Sequence, residues 1–170
     1  MIVRGTLVES RTSEEIALIA NDLRRYCERE NDDWFPIVPV VELIAGDGFD
    51  VLPPEEMGQN EGLTIPDLGI LQIRQDVYLA AANGDGRARD TMAHELGHFI
   101  LHRGISLARR ATKQALPRKT EDSEWQADEF AGLLLAPNHV ISGRTAADIT
   151  RCCGLPMQVA MYRSQKAKNR

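Results

Sequence analysis

Apolar residues recur at helical spacing near the start of the chain. Thr12 and Glu15 form a T-x-x-E capping box, and apolar side chains follow every three or four positions, which predicts an amphipathic helix over 13–30. A shorter apolar stretch predicts a second helix over 37–45. The next apolar run, at 49–52, is typical of a short strand.

The middle of the chain has short runs of Ile, Leu, Val and Tyr separated by loop residues. The runs at 63–65, 69–73 and 77–82 are predicted to be strands of a small antiparallel sheet. The sequence N-G-D-G that follows is a strong turn signal. A helix is then predicted to begin near Asp90, which can cap it, and to run to about residue 102.

The remaining pattern predicts a helical second half. An Arg- and Lys-rich segment over 103–119 is expected to be mainly loop, and a helix is expected from about 120 to 135. Two short helices are predicted near 145–152 and 156–165, in an arrangement like a helix-turn-helix. The fold class is therefore α+β, with a main domain over 1–140 that includes the N-terminal helices and a C-terminal helical segment over 141–170 that packs on or flanks it.

Composition narrows the class of protein. The chain has 170 residues, of which 43% are apolar and 26% charged, as expected of a globular domain. The sequence has no apolar run near the roughly 18 residues that a membrane helix needs, and no signal peptide is evident. Three cysteines, two of them adjacent, do not form a disulfide framework and favour a reducing, cytoplasmic compartment.

Charge is distributed unevenly along the chain. The formal net charge is −5, but residues 1–102 carry −11 and residues 103–170 carry +6. The basic residues of 103–119 include Arg109 and Arg110, and this segment contains no acid. We expect it to contact an acidic patch on a protein substrate, although a simple solvated loop is an equally good interpretation.

The candidate chemistry lies in His94-Glu95-Leu96-Gly97-His98, an H-E-x-x-H sequence. Two histidines four residues apart on a helix lie on one face, where both imidazoles can bind one Zn²⁺. Glu95 follows the first ligand and can reach a zinc-activated water without binding the metal, which is the position of a general base.

A third metal ligand is expected on the following helix. Glu124 is the best candidate because Asp128 lies one turn later and can accept a hydrogen bond from the far nitrogen of a ligating histidine. Glu121 and Glu129 are competitors. His102 continues the i, i+4 series, but it lies too far along the helix to share an ion with His94, so it is expected to end the helix or to support the ligands.

The sequence resembles the ImmA/IrrE family of metallopeptidases. The residues that carry the resemblance are Ala93–His98 with Leu101-His102, the block E-W-Q-A-D-E-F-A that starts at Glu124, and L-L-L-A-P that ends at Pro137. The resemblance covers about 69–165. One departure is Asp128, where the family commonly has Asn.

This resemblance implies a zincin-like core, with His94, His98 and Glu124 on zinc and Glu95 as the base. It also implies a cytoplasmic, site-specific endopeptidase that cleaves or inactivates a helix-turn-helix repressor encoded on a prophage, mobile element or stress regulon. The strand at 69–74 would be the edge that pairs with the substrate peptide.

Some assignments stay open. Tyr78, His102 and the arginines of 103–119 are candidates for a second oxyanion donor, and Tyr78 can equally be a core residue of a strand. The basic C-terminal helices allow, but do not favour, a DNA-binding regulator. A zinc-stabilised interaction module without turnover, such as an antitoxin, is the third alternative.

Overall fold

The computed structural model describes residues 5–105 and 118–168. It is a mixed α+β fold with these helices: α1 (Ser13–Tyr26), α2 (Ile37–Ala45), α3 (Pro54–Met57), α4 (Gln75–Ala82), α5 (Gly86–Leu101), α6 (Ser123–Leu135), α7 (Asn138–Ile141), α8 (Ala146–Ile149) and α9 (Met157–Lys168). The strands are β1 (Phe49–Leu52), β2 (Gly62–Ile65) and β3 (Ile70–Arg74). The α+β prediction is therefore confirmed.

The sheet has the order β1-β3-β2 and is mixed rather than antiparallel. β2 runs antiparallel to β3, with Thr64 opposite Leu71, as expected of neighbouring strands. β1 runs parallel to β3, with Phe49 opposite Leu71, because α3 and β2 supply the crossover that a parallel pair needs. The prediction that residues 69–74 form a sheet edge is therefore wrong, since β3 is the central strand and β2 is an edge.

The prediction of a strand over 77–82 is also wrong, because these residues form most of α4. Val77 and Ala81 are its buried positions, and their spacing of four residues is helical. The run of three alanines that ends this segment favours helix over strand. Tyr78 consequently lies on a helix, not in a strand.

The first helix follows its sequence signals. The capping box is confirmed, because the Thr12 hydroxyl accepts from the Glu15 N–H and the Glu15 carboxylate accepts from the Thr12 N–H. The helix ends at Tyr26, earlier than predicted. Glu28 adopts a left-handed conformation with φ of 56°, and the Arg29 N–H donates to the carbonyl of residue 24, as in a Schellman-type end.

Helix α5 starts four residues before the predicted position. Asp85 caps it, because its carboxylate accepts a hydrogen bond of 2.8 Å from the Ala88 N–H. Gly84, with φ of 89°, makes the turn that places Asp85 there. Asp90 lies within the first turns of the helix instead of capping it, and burial raises its pKa to about 6.

Helices α5 and α6 pack closely because of one glycine. A Cβ on Gly97 would lie 3.1 Å from Cα of Ala127 and 3.1 Å from Cδ1 of Phe130, so a larger residue would push the helices apart. The residues around this contact, including Ala93, Leu96 and Phe130, are fully buried. This close approach brings one face of α5 against the first turns of α6.

Two buried arginines connect distant segments through backbone carbonyls. Arg89 of α5 donates to the carbonyls of Phe35, Cys153 and Gly154, and its guanidinium lies 3.6 Å from the centre of the Trp34 ring. Burial lowers its pKa to about 10. Arg24 of α1 donates to the carbonyl of residue 134 at the end of α6.

The C-terminal segment contains α8, a π turn at Thr150–Gly154 and α9, close to the two predicted short helices. Most of its described basic side chains already have partners within the protein. These are Arg144 with Asp33, Arg151 with Asp148, Lys166 with Glu129, and the buried Arg163 with Ala136 and Asn138.

Within residues 5–105 and 118–168, no helix is both long and apolar enough to cross a bilayer.

Candidate active site

The two histidines of the H-E-x-x-H sequence face the same side of α5. The Nε2 atoms of His94 and His98 lie 3.0 Å apart, and the rings meet edge to face with centroids 4.7 Å apart. His98 is buried, while His94 keeps about a fifth of its side chain exposed. Their placement follows directly from the spacing of four residues on a helix.

Glu124, in the first turn of α6, completes a group of three potential ligands. Its Oε2 lies 3.4 Å from Nε2 of His94, and its Oε1 lies 3.3 Å from Nε2 of His98. The potential ligand atoms of the three residues all lie within 4.8 Å of one another. Two imidazole nitrogens and one carboxylate oxygen are a donor set that suits a divalent metal with an open position.

The charges in this group favour a cation between the two rings. Hydrogen bonds from His94, and then from His98, lower the pKa of Glu124. Burial alone would lower the pKa of His94, but hydrogen bonds to Asp128 and Glu124 outweigh it and raise that pKa to about 10. Positive charge is therefore stabilised at the point where the three side chains meet.

Asp128 holds the ring of His94 from the other side. Its Oδ1 lies 2.9 Å from Nδ1 of His94, so the carboxylate accepts the Nδ1–H and leaves Nε2 directed at Glu124. This is the contact expected for a residue one turn after Glu124, and Asp makes it in place of the more common Asn.

His102 ends α5 and supports His98 rather than lying beside His94. Its Nδ1 lies 3.1 Å from Nδ1 of His98, and its Nε2 lies 3.1 Å from Oε1 of Gln126. Burial, and then the neighbouring His98, lower the pKa of His102 to about 4. Both nitrogens of this buried ring are therefore engaged, which leaves neither available to a substrate oxyanion.

Glu95 points from α5 towards strand β2. The Thr64 hydroxyl lies 2.7 Å from Oε2 of Glu95, to which it donates, and 3.0 Å from its backbone carbonyl. A Cβ on Gly62 would lie only 2.5 Å from Cγ of Glu95, so the absence of a side chain there makes room for the carboxylate. β2 therefore positions Glu95 beside the histidine pair.

Gly62, Thr64 and Gln126 are site residues that the sequence reasoning missed. The glycine follows an acidic loop and looked like part of it, and the threonine is an inward position of a strand only four residues long. Gln126 lies inside the block that resembles the ImmA/IrrE family, but no spacing rule distinguishes it. The contacts that matter for the site join residues 24 to 117 positions apart: Thr64 with Glu95, and Gln126 with His102 and with the carbonyl of residue 9. Only the tertiary structure shows them.

The other sequence candidates have different partners. The carboxylate of Glu121 accepts from the Arg118 N–H, and the buried Glu129 binds Tyr162 and Lys166. Tyr78 donates its hydroxyl to Glu42, and its ring contacts Phe49. His139 lies 2.9 Å from the carbonyl of residue 30. Arg109 and Arg110, the candidate substrate contacts, lie outside the described residues.

A comparison with protein families identifies the family of this chain. A family model of the M78 peptidases, described as the IrrE N-terminal-like domain, matches residues 53–150. The matched range is more than half of the chain. The chain belongs to the M78 peptidase family. This confirms the ImmA/IrrE assignment, and the matched M78 domain contains β2, β3, α5 and α6, which carry the whole site.

No curated protein and no solved structure shows significant similarity to the chain. The M78 peptidases are metallopeptidases, so the family and the group formed by His94, His98 and Glu124 agree on a metal-dependent peptidase.

Proposed function

We propose that the protein is a zinc-dependent, site-specific endopeptidase that cleaves or inactivates a helix-turn-helix transcriptional repressor and so relieves repression. The observation that carries the peptidase part is the Glu95 carboxylate, which Thr64 orients and whose charge acts on His94 of the group of His94, His98 and Glu124. A site that only stabilises the fold has no use for such a base.

The residues fit a zinc ion. His94 and His98 would each supply Nε2, and Glu124 would supply a carboxylate oxygen, which is the His₂Glu set of catalytic zinc sites. Zinc bound there would polarise the scissile carbonyl and make a water molecule acidic enough to attack it at neutral pH. Asp128 would keep His94 as the Nδ1–H tautomer, which frees Nε2 for the metal.

Glu95 would carry the proton during the reaction. Its carboxylate takes the proton of the attacking water and then gives it to the nitrogen of the leaving amine. Of the two carboxylate oxygens of Glu95, Oε2 is the one that Thr64 binds, so we assign Oε1 as the atom that accepts the proton. Gly62 lies beside that oxygen, where an added Cβ would come within 3.0 Å of it.

The substrate peptide would bind along β2. Among the described residues, β2 pairs with β3 on one side alone, so its other backbone edge is open to strand addition. A peptide added there would lie next to Glu95, because Thr64 of the same strand contacts it. This replaces the expectation that the strand at 69–74 receives the substrate.

The proposal also covers the type of core and the domain boundary. We assign α5, α6 and the sheet to a zincin-like core, and we keep the division at residue 140 between the peptidase domain and the C-terminal helices as a prediction. Because the proposed substrate is a transcriptional repressor, the activity is assigned to the cytoplasm.

The main rival is a DNA-binding regulator built on α8 and α9. The pairing of Arg144, Arg151 and Lys166 with acids of the protein itself weighs against it, since phosphate contacts need cations that are free to bind. The arginine in the middle of α9, Arg163, is 1% exposed and bonds Ala136.

The decisive experiment combines metal analysis with a cleavage assay. The purified protein is analysed for bound metal and incubated with the repressor encoded beside it, and the products are read by intact mass. We expect about one zinc per chain and a single cut, and we expect Glu95→Gln to keep the zinc but lose cleavage. Glu55→Gln, at an exposed glutamate of α3, is the matched control and should behave as wild type.

Three outcomes of this experiment would contradict the proposal or favour one of the alternatives. A wild-type protein that binds no zinc and cuts nothing contradicts the proposal. A protein that holds zinc, cuts no substrate and unfolds on chelation would be the non-catalytic interaction module. Salt-dependent binding of duplex DNA, unchanged in Glu95→Gln, would favour the regulator.

A further inference from the structure

Two buried side chains, His102 and Gln126, lie behind His98, and the proposed reaction does not itself use them. Gln126, His102 and His98 are 0%, 1% and 5% exposed, so water does not compete for their hydrogen bonds. Two contacts of 3.1 Å connect them in a row, from Oε1 of Gln126 to Nε2 of His102 and from Nδ1 of His102 to Nδ1 of His98.

The orientation of the Gln126 amide is fixed by two carbonyl groups. Its Nε2 donates to the carbonyl of residue 9 and to that of Thr120, each at 2.7 Å. Carbonyl oxygens only accept, so both amide hydrogens are used there and the amide cannot flip. The atom that faces His102 is therefore Oε1, which only accepts.

This orientation determines the tautomer of His102 and then that of His98. His102 must carry its hydrogen on Nε2 to donate to Gln126, so in the neutral ring Nδ1 has a lone pair. The Nδ1 of His98 faces that lone pair and must supply the hydrogen of their contact. In the neutral ring of His98, Nε2 is then left with its lone pair, which can bind a metal ion. This atom lies 3.3 Å from Oε1 of Glu124, to which it can donate only when the ring is charged.

We propose that Gln126 and His102 form a relay that holds His98 in the Nδ1–H tautomer, with Nε2 directed at the metal position, and that both are positioning residues of the metal site. The inference rests on the proposed function, since it assigns a role towards the same ion. The two ligand histidines are then held differently, His94 by the carboxylate of Asp128 and His98 by a neutral relay.

A neutral relay avoids the electrostatic cost of a buried carboxylate. A carboxylate in place of the fully buried Gln126 would put a further negative charge close to Glu124 and Asp128, and burying an unpaired charge is costly. A neutral acceptor orients the ring without that cost. Because Gln126 is held by the carbonyl of residue 9, the relay also connects the N-terminal segment to His98.

The direct test is the tautomeric state of the rings, read from long-range ¹H–¹⁵N correlation spectra of the wild-type protein with and without Zn²⁺. We expect hydrogen on Nε2 of His102 in both samples, and hydrogen on Nδ1 of His98 in the zinc-loaded sample. Hydrogen on Nδ1 of His102 would overturn the relay. A protein that binds no zinc would defeat the proposed function, while the His102 signal in the same sample would still decide the relay.

A variant gives the effect on metal binding. His102→Phe keeps a ring of similar size but removes the acceptor for His98, so we expect zinc affinity, measured by competition with a chromophoric chelator, to fall about 10- to 100-fold. His139→Phe, at a histidine that contacts only the carbonyl of residue 30 among the hydrogen bonds described, is the control and should bind zinc as wild type. A folded His102→Phe protein with unchanged zinc affinity would contradict the relay, and the wild-type spectra decide the matter if that variant does not fold.

Discussion

Gly62 of β2 lies directly against the side chain of Glu95, the proposed catalytic base, and substitution there gives a sharp prediction. In Gly62→Ala, the new Cβ would lie 2.5 Å from Cγ of Glu95 and 3.0 Å from its Oε1. Carbon atoms in ordinary contact are about 3.5–4.0 Å apart, so the Glu95 side chain must move by roughly 1 Å or more. The glycine does not have a positive φ, so the alanine itself is not strained.

A displacement of about 1 Å at a catalytic group costs on the order of 100-fold in rate, which is about 2.7 kcal/mol of transition-state stabilisation. We therefore expect Gly62→Ala to lower kcat/KM for repressor cleavage about 100-fold. Zinc content should not change, because the three atoms nearest to the new methyl group all belong to Glu95, which is not one of the three candidate ligands.

The assay follows cleavage by intact mass, with zinc content and thermal unfolding measured on the same preparation. Val51→Ala is the control, since Val51 is a partly exposed residue of β1, the opposite edge of the sheet. Cleavage by folded Gly62→Ala at the wild-type rate would refute the assignment of Glu95 as a base positioned by β2. Loss of zinc together with activity would show that the change had disturbed the metal site instead.

Three further predictions test other contacts. Thr64→Val keeps the shape of the side chain but removes the hydroxyl that binds Glu95, so kcat/KM should fall about 10-fold or more while zinc stays bound; unchanged kinetics would contradict this. Asp128→Ala should weaken zinc binding about 10- to 100-fold in chelator competition, whereas Asp128→Asn, which keeps an acceptor for His94, should lose much less. Burial raises the pKa of Asp90 to about 6, so its ionisation destabilises the fold as pH rises from about 4 to 6. Denaturant unfolding in EDTA should therefore show Asp90→Asn to be more stable than wild type by about 1–3 kcal/mol at pH 7 and similar to it at pH 4.

The parts of the site that follow from one helix could be predicted from the sequence. The spacing of His94 and His98 determines a shared face on any α-helix, and the spacing of Glu124 and Asp128 does the same on the next helix. The structure brings these two faces together through Gly97, whose role appears only when both helices are in place. Local periodicity therefore predicted the shared faces, and the structure brings His94, His98 and Glu124 within 4.8 Å of one another; their role as metal ligands stays a prediction.

The contacts that position these groups depend on tertiary structure and could not be predicted. Thr64 reaches Glu95 because β2 lies at an edge of a mixed sheet, and the parallel pairing of β1 with β3 has no local signal. The prediction of a strand over 77–82 was wrong because it relied on Val and Tyr, which favour strands. The helix instead depends on the neighbouring alanines and on the burial of Val77 and Ala81, four residues apart.

Residues 5–8 run along the end of α6 that carries Glu124. The Thr6 N–H donates to the Ser123 hydroxyl, the Val8 N–H donates to the carbonyl of residue 121, and a Cβ on Gly5 would lie 2.7 Å from Cγ of Glu124. A fragment trimmed to the family-matched range 53–150 would contain every candidate ligand but lose this segment and the carbonyl that orients Gln126. We therefore expect the smallest active fragment to be larger than the matched domain.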